Sequence, residues 1–106
     1  MTDQGRMRER LTLEAPVESA DGAGGVVRSH AMVATLWGEI VPLGAREATI
    51  AEARGVTVTH RIRIRRRSDM TTRHRLRQGD RLWRIAALSD DASRRFLTID
   101  AEERRD

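Results

Sequence analysis

Over residues 56–67 the chain alternates with a period of two. Val56, Val58, Ile62 and Ile64 fall on one phase, and Thr57, Thr59, Arg61, Arg63 and Arg65 on the other. Successive side chains of a strand point to opposite faces, so this spacing predicts a strand with one apolar face and one row of guanidinium groups. His60 shares the apolar phase, where a satisfied histidine of a core or barrel rim is the ordinary reading. β-Branched residues between the arginines support a strand, whereas a helix would scatter the arginines around its axis.

The same alternation marks other elements. Arg10 to Ala15 places Leu11, Leu13 and Ala15 on one side, and Pro16 is expected to end that strand. Residues 17–30, with glycines at 22, 24 and 25, read as a long exposed loop. Ala31 to Leu43 is apolar in both phases, which suits a strand buried on both sides with a bend at Gly38. Gly44 to Arg54 is alanine-rich with helical spacing, and Gly55 is placed to end that helix in a left-handed conformation. Ser68 to Asp80 reads as a long excursion. Arg81 to Leu88 and Arg94 to Ala101 read as strands around a turn at 89–93, the first with Trp83, Ile85 and Ala87 on one face. Residues 1–8 read as a flexible arm and residues 102–106 as a frayed tail.

The expected fold is one mainly β domain over residues 1–106. It is a small antiparallel barrel or sandwich of about five strands with one short α-helix. Trp37, Trp83, Ile62 and Ile64 are the expected core anchors.

Charge changes the picture. All 20 cationic residues are arginine, and the net charge is +4. Between His60 and Arg84, ten arginines stand against two aspartates, so the remainder of the chain is net acidic. Such a block points to nucleic acid, to an acidic protein surface, or simply to a solvated face. Arginine's planar fork suits phosphate and carboxylate alike.

Candidate chemistry is sparse. The chain has no cysteine, and His30, His60 and His74 have no metal-ligand spacing. Gly22, Gly24 and Gly25 lead into Val26-Val27 rather than into a helix, and no serine has a nucleophile signature. These features argue against an enzyme and call for no cofactor. No apolar run is long enough to span a membrane, no signal peptide opens the chain, and the cytoplasm is the expected place of synthesis.

Taken in order, the segments resemble the head–tail joining (head-closure or stopper) proteins of long-tailed phages and phage-like gene transfer agents. The resemblance covers roughly residues 5 to 101. It rests on RLTLEAP from Arg10, VATLWGEI from Val33, Pro42-Leu43, Arg46-Glu47, THRIRIR from Thr59, and a hairpin from Gly79 to Ile85.

It implies a non-enzymatic ring in the neck of the particle, between portal–adaptor and tail, which closes the DNA exit and docks the tail. The implied partners are further copies of the chain, the adaptor and portal proteins, a tail terminator or tail tube protein, and the phosphate backbone of packaged double-stranded DNA. Arg61, Arg63, Arg65, Arg73, Arg75 and Arg77 are then candidates for contact with DNA or with an acidic partner. Asp21, Gly22, Gly24, Gly25 and Arg28 are candidates for an inter-protein loop. The competing reading is a small monomeric β-barrel that binds single-stranded nucleic acid through the arginine-rich strand. Only three aromatic residues speak against that alternative, because base stacking wants more of them.

Overall fold

The structure, a computed structural model, describes residues 7–105. The expected arm at 1–8 lies outside the described residues except for Met7 and Arg8, and so does Asp106 of the tail.

Six strands and one helix follow in the order β1 (Glu9–Ala20), β2 (Val26–Pro42), α1 (Ala45–Ala53), β3 (His60–Arg65), β4 (Arg75–Gln78), β5 (Arg81–Asp90) and β6 (Phe96–Arg105). The strands close into a barrel in the order β1-β2-β3-β6-β5-β4, with every pair antiparallel. The seam that closes it joins β1 to β4 over three pairs, Thr12–Arg77, Leu13–Leu76 and Glu14–Arg75. Closure removes sheet edges and fills the interior with the inward phase of each strand.

That interior holds Leu11 and Leu13 of β1, Ile62 and Ile64 of β3, Leu76 of β4, Trp83 and Ile85 of β5, and Leu97, Ile99 and Ala101 of β6, with Met70 from the β3–β4 connection. The apolar phase of the arginine strand thus faces inward. Gly38 gives the closest approach in the wall: a Cβ there would lie 3.0 Å from Leu11 Cδ1 and 3.1 Å from both Arg63 O and Ile64 Cγ2. A side chain there would make Leu11, Ile64 and the Arg63 carbonyl give way by a few tenths of an ångström. Gly55, with φ +79°, donates its N–H to Glu52 O and ends α1 in the expected way.

Several expectations are corrected. Pro16 does not end β1, which continues to Ala20 against Val26–His30 of β2. A proline is compatible with this position because β4 leaves β1 after Glu14, and beyond that point β1 is an edge strand. The expected loop at 17–30 is therefore the outer part of a hairpin, and only residues 21–25 form the turn. Asp21 organises that turn, its Oδ1 accepting from Ala23 N at 2.7 Å and Gly25 N at 3.0 Å. These two donors hold its carboxyl below the usual carboxylate range.

β2 is not buried on both sides. It outruns the barrel and is exposed from Val26 to Val33. Trp37, expected as a core anchor, is 56% exposed, because Leu36, Gly38 and Ile40 take the inward phase. The excursion 68–80 contains the short strand β4. A bulge between Ile85 and Ala87 shifts the phase of β5, so that Leu88 rather than Ala87 packs against the core. Glu102 to Arg105 belong to β6 and pair with β5 instead of fraying.

Candidate interaction surfaces

The outward phase of β3 carries Arg61, Arg63 and Arg65, and the register decides what they meet. Asp100 of β6 lies directly opposite Arg61, and its Oδ1 accepts from Arg61 Nε at 3.2 Å. Glu47 of α1 accepts from Arg61 Nη1 at 3.1 Å and ties the helix to the sheet. Arg63 donates to Asp91 Oδ2 at 2.9 Å and stacks over Phe96 at 4.4 Å from the ring centroid. Burial alone would raise the Asp91 carboxyl. Hydrogen bonds from Arg63, Ser93 and the Phe96 N–H outweigh it and hold the group low.

Across the seam, Glu14 takes Arg75 at 2.6 Å and Arg77 at 3.2 Å on its two oxygens. Arg84 donates to Glu102, and Arg81 donates through two nitrogens to Glu103. Arg66 bonds Asp90, and Arg67 bonds Asp69 in the same two-pronged manner. The pairs of Glu14, Glu102 and Glu103 are direct and diagonal cross-strand pairs, the usual unit of side-chain contact on a sheet, whereas Arg66 and Arg67 make theirs from the connection after β3. The positive block in the sequence is therefore folded against the acidic remainder.

Of the six arginines proposed as contacts, Arg61, Arg63, Arg75 and Arg77 are held by carboxylates of this same chain. Arg65 and Arg73 have no carboxylate partner among the described residues. Most of these ion pairs are part-exposed, so each contributes little to stability, but each lowers the charge offered to a partner.

His60 lies at the barrel rim. Its Nδ1 is 2.8 Å from Thr59 Oγ1, its ring meets Trp83 edge-on at 6.0 Å, and its Nε2 is 3.6 Å from Glu103 Oε1. Burial pushes its pKa below the ordinary value, Glu103 opposes that shift, and Arg81 adds to it. Trp83, fully buried, has no hydrogen-bond partner for its indole Nε1 among the described residues.

The five residues proposed for an inter-protein loop sit together at the far end of the hairpin, away from the barrel. Arg28 pairs there with Glu18 across the ribbon at 3.3 Å. The two proposed groups of contacts therefore belong to different parts of the molecule. Two of the hollows on the described surface adjoin the proposed arginines. One, of about 810 Å³, adjoins Trp37 and Arg65. The other, of about 410 Å³, collects Arg73, Arg104, His30 and His74 beside β4 and β5. Sequence reasoning missed Trp37 as a surface residue and left Arg104 in a frayed tail instead of on β6 beside the second hollow; the double-apolar phase around Trp37 was the available signal, and it pointed inward. No group of acids and histidines that could hold a metal occurs among the described residues.

A closed six-stranded barrel, a projecting ribbon and a surface laced with ion pairs define a small structural β-barrel module. The chain matches the model of the phage head completion protein family over residues 2–104 and belongs to that family. Its role is accordingly a structural one in head completion. The solution structure of a protein from Shigella flexneri 2a is similar, at 28% identity and a TM-score of 0.78 over 96% of each chain. A chain from the virion of a native gene transfer agent particle shares the fold, at 24% identity and a TM-score of 0.66, over 95% of this chain and 98% of that one. No curated protein matches.

Proposed function

We propose that copies of this chain close into a ring at the exit of the packaged head, where the ring retains DNA and presents a docking surface to the tail. The observation that carries this is the hairpin. β1 beyond Glu14 and β2 before Gly38 pair with each other, and no other strand among the described residues covers their outer edges. Val17, Val26, Val27, Met32 and Val33 are all exposed on it. A two-stranded ribbon is marginal alone, and open edges of this length are templates for another chain. Neighbouring subunits in a closed ring would cover the β1 edge and the β2 edge from Val26 to Val33. The gene transfer agent chain of similar fold is part of an assembled virion, which supports the same setting here.

DNA retention in this reading falls to guanidinium groups that the chain does not itself neutralise. Arg73 and Arg104 have no carboxylate partner among the described residues, and they share a hollow with His30 and His74. Repeated around a ring, that hollow offers a positive band that grips phosphate without reading sequence. Adaptor, portal and tail proteins are the partners on either side of the ring.

The test is a particle-producing strain without this chain, complemented by the full chain or by the Arg73→Gln/Arg104→Gln variant. Without the chain, heads should lose DNA and lack tails, and images of complemented particles should show a ring of it in the neck. Normal tailed, filled particles in its absence would end the proposal. A monomer that binds single-stranded oligonucleotides and never enters particles would favour the competing reading, which the internally paired arginines already disfavour.

A further inference from the structure

Two strands part company at Gly38. β2 and β3 pair from Pro42–His60 to Gly38–Ile64 and no further. β3 continues along β6, with Arg65 opposite Phe96 and the Arg66 N–H donating to Arg95 O. β2 runs on along β1 through Trp37 and Leu36. The gap between them is the hollow of about 810 Å³. Core residue Ile64 and the partly buried Leu36 form its floor, the exposed indole of Trp37 forms a wall, Arg65, Arg66 and Arg67 stand on its rim, and Met7 and Arg8 of this chain's own N-terminal segment also line it. Arg10 flanks the indole, its guanidinium carbon 5.6 Å from the ring centroid.

Three features of the hollow select its occupant. Among the described residues no strand pairs with the adjacent edge of β2 beyond Gly38, so an extended backbone can add to it. The floor and wall are apolar and aromatic, so a large uncharged side chain gains by seating there. The rim is cationic: Arg66 and Arg67 already hold Asp90 and Asp69, which shows that carboxylates suit these forks, while Arg65 has no carboxylate among the described residues.

We infer that this hollow receives an extended acidic segment of another particle protein. The segment adds as a strand to β2, seats an apolar side chain against Trp37, Leu36 and Ile64, and lays a carboxylate against Arg65. Duplex DNA offers phosphates but keeps its bases stacked, so nothing from it fills the apolar floor. A second copy of this chain is a poor source, because Glu18 on its open ribbon already pairs with Arg28, and Glu14, Asp100, Glu102 and Glu103 are bound to other arginines of the same chain. The inference rests on the head-completion reading only for where the segment comes from.

The test titrates the isotope-labelled full chain with a short peptide that alternates glutamate with valine around a central phenylalanine. Backbone amides of Thr35, Leu36 and Trp37 and the Trp37 indole N–H should shift. Arg65→Gln should weaken binding about fivefold, as expected for loss of one exposed charge pair. Trp37→Ala, an exposed site, should weaken it further, and a lysine-for-glutamate peptide should not bind. Shifts elsewhere on the barrel, equal binding of the lysine peptide, or an unchanged affinity in Arg65→Gln would overturn the inference. So would displacement of the peptide by an equal concentration of single-stranded oligonucleotide. In assembled particles, a photo-cross-linker at position 35 should join an acidic segment of a different protein; joining to DNA or to another copy would also overturn it. Absence of the chain from particles would instead end the ring reading, and the titration would still decide this one.

Discussion

The barrel and the hairpin are made of the same two strands, yet they live under different rules. Inside the barrel, β1 and β2 have partners on both sides and their inward residues Leu11, Leu13 and Leu36 meet a shared core. A few residues further on, the same strands have only each other, and every residue from Glu18 to Val33 is exposed. Hydrogen-bonded pairing alone therefore does not set local stability; what the strand faces does. The barrel closes within one chain, whereas the ribbon has no further strand beside it among the described residues.

Mutations can break or sharpen that contrast. The largest effect belongs to the barrel: Trp83→Ala should cost about 3–5 kcal/mol, enough to unfold much of the population, as read by urea denaturation with circular dichroism. Gly38→Ala should cost about 1–3 kcal/mol in the same assay, since the added methyl meets Leu11, Arg63 O and Ile64. Glu14→Gln leaves Arg75 and Arg77 without their shared carboxylate and should cost about 1–3 kcal/mol.

A smaller effect is pH-dependent. The folded state lowers the His60 pKa, so the unfolded chain binds that proton more tightly. Its contribution is complete above about pH 6.5 and is lost as the pH falls below that value and through the folded pKa. The urea midpoint should drop between about pH 7.5 and pH 5 in the parent and stay flatter in His60→Gln. Asp91, held below the ordinary 3.8, adds its loss only in more acidic solution.

Smallest of all should be the effect on the barrel of replacing residues 18–28 with a tight turn, within about 0.5 kcal/mol of the parent. The same truncation should abolish incorporation into particles. A truncated chain that still assembles would erase the functional half of the comparison.

Much of the barrel was legible in the chain because inward residues alternate strictly at Leu11–Leu13, Ile62–Ile64 and Leu97–Ile99–Ala101. The helix and its glycine stop were legible for the same local reasons. The hairpin was not. Its glycines advertise a loop, and Pro16 looks like a terminator unless β4's departure from β1 is known. Trp37 misled because a strand apolar in both phases usually means burial, whereas here it marks a strand that runs past its partners. The arginine row was visible, but its neutralisation was not. Asp100, Glu102 and Glu14 are distant along the chain and come opposite the arginines only through register.

The three-pair seam between β1 and β4 gives the molecule a mechanical grain. β1 belongs both to that seam and to the ribbon, so a load applied at the tip travels straight down one strand to the shortest run of pairing in the wall. Glu14 stands there as a clasp across two arginines of β4. Tugging at the hairpin would thus peel the cylinder open at one predetermined line, while the longer β3–β6 pairing on the opposite side acts as its hinge-back.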